Sequence, residues 1–353
     1  MRVHAIVVGQ GLAGTWVAYQ FLKQGKTVFV VDQPKPNSSS KVAAGIYNPL
    51  TGPRMVKTWM ADEIFPFLET SYEELETFLQ VSILHKKPIF RPFDSIAEQT
   101  EWFAKSAEPS YRSFVGAIGS QEKFTRYYVA PHGGLLAHLS GYVDTVSLLT
   151  AFSSYLRQQD VLSEEVFQYE HVEIGEKGVH YNGIEANCVV FCQGTGNFQN
   201  PFFSYLPLNG TKGQVLDVAI PGYTLDDIVN KGVFILPKEG FQMIGSNYEW
   251  TFDDDQPSLI GKEEIETKLS KLLHVPYEIK GQRAGVRPTV KDHRLLLGRH
   301  PVFPQLTIFN GLGTKGVSLA PYFSHHFVTC LLENRSFMPE TDIQRFVYLY
   351  QPK

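Results

Sequence analysis

Gly9, Gly11 and Gly14, spaced as G-x-G-x-x-G, with Asp32 beyond them, are the residues of this 353-residue chain whose types and spacing most directly specify chemistry. Gly9 permits a tight turn, and Gly11 leaves no Cβ between the backbone and an approaching pyrophosphate. Gly14 lets a following helix pack closely on the preceding strand. Leu12 and Ala13 open that helix, whose unpaired N–H groups and dipole favour an anion. Asp32, with Gln33 after it, stands about 20 residues on. Its carboxylate can accept hydrogen bonds from a ribose 2′-OH and would repel a 2′-phosphate. The set specifies a dinucleotide of the NAD or FAD type rather than NADP.

Such chemistry needs a strand, a glycine turn, a helix and a second strand in that order. Residues 3–8 form a short, nearly all-apolar run, as a strand buried on both faces requires. Val17, Phe21 and Leu22 recur at helical spacing until Gly25, and residues 27–31 give a second apolar strand ending on Asp32. The pattern returns late in the chain. Residues 306–310 read as a strand, followed by Gly311, Leu312, Gly313, Thr314, Lys315 and Gly316, and then a helix to about residue 332. A second positive helix end suits partial negative charge such as the N1–C2=O edge of a reduced flavin. A nicotinamide enzyme has no need of it, so the expected cofactor is FAD. Lys315 could support an anionic flavin or point to solvent.

Between these ends lie small-residue stretches that suit a flat ligand, Ala43-Ala44-Gly45 and Gly194-Thr195-Gly196, the latter after an apolar strand at 188–192. Helices are expected at 61–79 and from 145 with Asp144 as N-cap, where Val146, Leu149, Phe152 and Leu156 share a face. Residues 83–134 are aromatic and irregular, with a helical piece at 96–107. Short strands are expected at 166–169, 172–174 and 178–181, longer ones at 208–218 and 232–248, and a surface helix at 263–273. Asp253, Asp254 and Asp255 read as a solvated loop, and His325-His326, on a helix, as structural. The net charge of −4 shows no broad basic bias towards nucleic acid. Three cysteines give no disulfide framework and no CxxC pair, so no metal site is expected. No apolar run spans a bilayer, and the first strand begins beside Met1 with no room for a signal peptide. The expected compartment is the cytoplasm.

With these residues assembled, the chain resembles the D-amino-acid oxidase, glycine oxidase and sarcosine oxidase family of FAD-dependent amine oxidoreductases. The resemblance rests on Gly9-x-Gly11-x-x-Gly14 with Asp32, on Ala43-Ala44-Gly45, on Cys192-Gln193-Gly194-Thr195-Gly196, and on Gly285-Val286-Arg287-Pro288. It closes on Asn310-Gly311-Leu312-Gly313-Thr314-Lys315-Gly316. It implies an α/β fold, α+β overall: a Rossmann-like FAD-binding domain with an inserted β-rich substrate-binding domain. The first would take residues 1–60, 141–204 and 282–353, the second 61–140 and 205–281.

The implied reaction oxidises a carbon–nitrogen bond of a small amino acid or secondary amine. A hydride passes to flavin N5 and the imine is then hydrolysed. The family places a carboxylate-binding arginine at the position of Arg287; the alternative is an ion pair with Asp292 or a C-terminal acid. Tyr47 and Tyr248 would line the substrate pocket or serve as plain core or rim tyrosines. Val166 would back the adenine ring. Covalent relatives use a cysteine near the Gly-x-Arg-Pro segment; none stands there, so FAD is expected to be non-covalent.

Three stretches, Gly45-Ile46-Tyr47-Asn48-Pro49, Gly245-Ser246-Asn247-Tyr248 and residues 311–316, also resemble the oxidoreductase domain of the bifunctional enzyme that finishes a wobble-uridine modification on tRNA. Two alternatives therefore stand beside the amine oxidoreductase: an oxidoreductase acting on a modified tRNA base, and a non-catalytic flavin-binding scaffold.

Overall fold

The structure is a computed structural model and describes residues 1–52, 56–119, 122–176 and 178–351. Its first sheet is built around Arg2–Val8, which pairs in parallel with Val28–Val31 on one side and Ile184–Phe191 on the other. Leu306–Asn310 extends it in parallel beyond Ile184–Phe191, and Leu296–Arg299 closes that edge antiparallel. In register, Val8 lies opposite Val31 and Phe191, and Phe191 opposite Ile308. These four strands thus finish at one edge, where an open α/β sheet binds its ligand. Val7, Val30, Val190 and Ile308 are fully buried, which is why their strands are continuously apolar rather than alternating.

Helices Leu12–Lys23 and Gly316–Leu332 cover this sheet, and Ala61–Leu79 packs on the second of them. The Tyr72 hydroxyl donates to the Val317 carbonyl at 3.0 Å. Asp144 caps Thr145–Gln158, its Oδ1 accepting from the Ser147 N–H at 3.0 Å. Leu148, Leu149, Phe152 and Leu156 form the buried face; Val146 is exposed instead, one helical step off the stripe.

A second sheet runs Glu278–Val290, Leu208–Ala219, Phe241–Gly245, Val233–Lys238, Ile228–Lys231, Ile89–Pro92, Gly134–Ala137, Val115–Gly119. The expected strand at 232–248 is thus a hairpin, turned at Gly240 with φ +79°. The irregular stretch 83–134 supplies two strands of this sheet, Ile89–Pro92 and Val115–Gly119, and Ile89–Pro92 joins Ile228–Lys231 in parallel. One face, carrying Val215, Leu236 and Met243, shares a core with the first sheet. The other packs on Leu259–Leu272 through Ile265, Leu269 and Leu272. No strand forms at 166–169: Phe167 leaves the sheet line to stack on Tyr181 at 4.3 Å, and a single tight turn follows at Tyr169–His171. Among the described residues no helix is long and apolar enough to cross a membrane, and no side-chain cluster could hold a metal ion.

Burial of histidines sets one property of this fold. His300 is 3% exposed, and its Nδ1 accepts from the N–H groups of Val302 at 3.2 Å and Phe303 at 3.1 Å. Only the neutral ring can do this. Burial also holds His4, His85, His300 and His326 below the ordinary value of 6.5. The sign is fixed: the unfolded chain takes up these protons first, so their contribution is complete above pH 6.5 and is lost as pH falls through the folded values. The melting temperature is expected to fall between pH 6.5 and 5. A His300 imidazole that titrates at or above 6.5 by NMR would rule this out for that residue.

Candidate active site

Three glycine-bearing turns meet at the finishing edge of the first sheet. Gly9 has φ +96°, and a Cβ there would stand 2.7 Å from the Cys192 carbonyl oxygen. A Cβ on Gly14 would lie 1.7 Å from the Gly9 carbonyl oxygen. Asn310 ties the second turn to the third: its Nδ2 donates to the Gly194 carbonyl at 2.9 Å, and its Oδ1 accepts from the Gly311 N–H at 2.8 Å. Gly313, at φ +56°, donates its N–H to the Pro288 carbonyl at 2.9 Å. Leu12 Cδ1 sits 3.4 Å from where a Gly316 Cβ would be, so the two helix N-termini are neighbours.

Together the turns bound one cavity of about 1760 Å³. A drug-sized ligand fills roughly 300–1,000 Å³, so this space takes a long ligand with room left over. Gly9, Gly11, Leu12, Ala13, Asp32, Gln33, Ala43, Ala44, Gly45, Val166, Gly194, Thr195, Gly196, Gly311, Gly313, Thr314, Lys315 and Gly316 line it, as do Arg287 and Tyr248. Gly14 lies behind the wall, against Gly9 and Cys192. Tyr47 is placed elsewhere: it is fully buried, and its hydroxyl donates to Glu69 at 3.1 Å. Its ring is thus a core group rather than part of the lining. Val166 is half exposed at the rim.

The Asp32 end is preorganised. Asp32 Oδ1 accepts from the Gln10 N–H at 2.8 Å, and the Gln10 side chain reaches Thr15, Ser153 and the Leu149 carbonyl. Burial pushes the Asp32 carboxyl up, against the pull of that N–H. The Leu12 N–H donates to Ser40 Oγ at 3.1 Å, a partner that an incoming anion can replace. These features fit a dinucleotide: no Cβ intrudes on the turn, Asp32 lines the cavity beside it, and the cavity is continuous to the second helix N-terminus.

At the other end, Lys315 Nζ donates to Thr58 Oγ1 at 3.5 Å; burial, then Arg294, lowers its pKa. Arg294 lies over the Trp59 ring at 4.2 Å. Arg287 comes from Glu278–Val290 in the second sheet. Its Nη2 donates to Ser246 Oγ at 3.0 Å and its Nη1 to the Asn247 carbonyl at 3.4 Å, with the Tyr248 ring 5.0 Å away. Burial lowers its pKa, but a guanidinium stays charged. Asp292 pairs with Arg345 at 3.0 Å instead, and no carboxylate meets Arg287 among the described residues.

The segment that holds Arg287 is itself anchored from below. Lys212, 3% exposed, pairs with Glu249 at 3.3 Å; Asn247 Nδ2 donates to Glu249 at 2.8 Å, and its Oδ1 accepts from the Gln214 N–H at 2.8 Å. Burial works against the Glu249 charge, yet the hydrogen bonds from Asn247, Gln214 and Lys212 keep its carboxyl below the ordinary value.

Sequence reading misses Ser246 as a partner, and Gly213. A Cβ on Gly213 would lie 2.0 Å from Arg287 Nη2 and 2.2 Å from its Cζ, so the guanidinium rests on the bare backbone. A glycine inside the strand Leu208–Ala219 is the signal that could have found it. Gly213→Ala is expected to push the guanidinium off Ser246 and weaken its hold on a carboxylate about tenfold, one good charge-assisted hydrogen bond. A crystal structure of the variant with Arg287 still on Ser246 would refute this.

A family model for FAD-dependent oxidoreductases matches residues 4–328. The glycine oxidase of Bacillus subtilis (strain 168) is 27% identical over 183 residues, covering 48% of this chain and 49% of that protein. The tRNA 5-methylaminomethyl-2-thiouridine biosynthesis bifunctional protein of Acinetobacter baylyi is 21% identical over 361 residues, covering 93% of this chain and 53% of the relative. The chain thus spans about half the length of these curated relatives. Among solved structures, glycine oxidase from Geobacillus kaustophilus superposes with a TM-score of 0.75 at 20% identity, covering 98% of both chains. L-Proline dehydrogenase from P. horikoshii gives 0.78 at 15% identity, again covering 98% of both. These likenesses establish a shared fold.

Proposed function

This chain belongs to the family of FAD-dependent oxidoreductases, and from that premise we propose that it oxidises the carbon–nitrogen bond of a carboxylate-bearing amine. A C–H bond of the carbon next to nitrogen breaks, its hydride leaves with both electrons, the nitrogen lone pair forms the C=N bond, and water then hydrolyses the imine. FAD, when bound, supplies the two-electron acceptor. Gly9, Gly11, Leu12 and Ala13 would hold its pyrophosphate, Asp32 its ribose, and the turn at 311–316 its ring end.

The observation that carries the reading is Arg287: a partly buried cation facing the cavity with only neutral partners. A buried charge without a counter-ion is costly, and a substrate carboxylate would relieve the cost by fork-to-fork pairing. Ser246 and the Asn247 carbonyl fix the fork, so the carboxylate fixes the substrate and orients its C–H bond. Attachment of FAD is proposed to be non-covalent. Burial drives the thiol of Cys192, the cysteine on the cavity wall, far above its ordinary pKa, and a thiol is a poor nucleophile.

The test is anaerobic mixing of the yellow protein with amine pairs of several sizes, such as sarcosine against dimethylamine, leucine against 3-methylbutylamine and phenylalanine against 2-phenylethylamine. Bleaching by the carboxylated member of a pair alone is expected. Equal bleaching by both members would defeat the reading, and no bleaching across a broad amine panel would favour the scaffold.

A modified tRNA base as substrate is a second reading, favoured by exposed aromatic and basic residues of the cavity lining: Trp250 and Tyr248 are 66% and 50% exposed, and Lys268 and Lys271 line the same cavity. Such a substrate would bind with steep salt dependence. Salt-independent binding, or none, to bulk tRNA would remove it.

A further inference from the structure

The cavity also runs against the second sheet, and this extension is walled by Ile89, Phe93, Leu135, Ala137, Val215 and Phe234. Ile89 and Ala137 are paired neighbours across the sheet, and Leu135 lies one pleat along from Ala137, so all three present the same face. Val215 and Phe234 converge on Gly245: a Cβ there would stand 2.9 Å from Val215 Cγ1 and 3.0 Å from Phe234 Cζ. The next residue is Ser246, which holds the Arg287 fork. The apolar wall therefore begins one residue from the serine that holds the Arg287 fork.

The two cations beside this extension, Arg91 and Lys231, are already ion-paired. Arg91 pairs with Glu98 at 3.7 Å and Lys231 with Asp94 at 2.6 Å, two cations against two anions. A second carboxylate on the substrate would have to break into those pairs, whereas hydrocarbon gains from leaving water. Resting on the carboxylate reading of Arg287, we propose that the substrate carries a bulky apolar substituent beside its carboxylate, as a branched-chain or aromatic amino acid or its N-alkyl derivative does, rather than being glycine-sized or a dicarboxylate.

Carboxylates that lack an amine can be bound without turnover, so affinity is read directly. The FAD-loaded protein is titrated with acetate, 3-methylbutanoate, benzoate and succinate, following the flavin absorbance spectrum. Each buried methylene is worth about fourfold in affinity, so 3-methylbutanoate and benzoate are expected to bind at least about tenfold more tightly than acetate, and succinate no more tightly than acetate. Ala137→Leu, which fills the extension, is expected to erase the advantage of the larger ligands and leave acetate binding unchanged. Equal affinity for acetate and 3-methylbutanoate in the unaltered protein overturns the proposal, as does a preference for succinate. Arg287→Ala separates the two layers. If it leaves acetate affinity intact while the size preference persists, the carboxylate reading fails and the apolar extension stands.

Discussion

Arg287→Ala is expected to raise the KM for a carboxylated amine about 30-fold to 4,000-fold while FAD remains bound and the melting temperature does not fall. The loss corresponds to the roughly 2–5 kcal/mol that follows when one partner of a buried, hydrogen-bonded charge pair is removed. The stability half of the expectation comes from the empty-handed state of the guanidinium. Without substrate, Arg287 is partly desolvated and compensated by Ser246, the Asn247 carbonyl and the Tyr248 ring. A partly desolvated charge without a counter-ion carries a cost in the folded state, so deleting it relieves the fold as it disables binding. A structural arginine behaves oppositely: its removal lowers the melting temperature and leaves KM alone. Arg287→Lys keeps the charge but not the fork, and an intermediate KM is expected. Measuring KM against kcat together with thermal unfolding decides the matter; a destabilised variant with unchanged KM would make Arg287 a structural residue.

The parts of this site that are legible in the sequence are those whose requirements are local. Around Gly9 the strand, the turn, the helix and Asp32 lie within one short segment, and the type of each residue states its duty. The late turn is equally legible, since Gly311 and Gly313 need positive φ, which their neighbours would not tolerate. What brings the turns together is not local. Asn310 reaches Gly194 across 116 residues of chain, and nothing about an asparagine after a strand announces that. Arg287 can be named from its chemistry, but its partner Ser246 stands 41 residues away and its seat, Gly213, on a third strand. Tyr47 shows the converse. Its motif neighbours point to the pocket, yet its own ring is taken by the core and by Glu69. A tyrosine is large and amphipathic enough for either duty, so position alone cannot decide. The stretch 83–134 fails for a topological reason: its strands are short, and their partners, such as Ile228–Lys231, come from far along the chain.

Gly14→Ala is expected to cost the protein both FAD and stability, whereas Gly11→Ala should cost FAD alone. At Gly14 the added Cβ would meet the Gly9 carbonyl oxygen at 1.7 Å, and its neighbour on the other side is Cys192. Backbone cannot rotate away as a side chain can, so the helix Leu12–Lys23 must lift off the strand Arg2–Val8 or the Gly9 turn must open. Overpacking of this kind costs about 3 kcal/mol. The same displacement moves the N–H groups of the first helical turn, and losing two hydrogen bonds to a charged group weakens binding by roughly 100-fold or more. At Gly11 the obstacle is Ser40 Oγ at 3.0 Å, the end of a movable side chain, so the fold absorbs the new methyl group. That methyl stands on the cavity wall where the pyrophosphate backbone contact is made, and cofactor binding alone suffers. Flavin titrations and thermal unfolding of the two apo-variants separate these effects. A Gly14→Ala protein that melts like the unaltered chain and retains its FAD affinity would show that the contact between Gly9 and Gly14 does not set the geometry of the anion-binding turn.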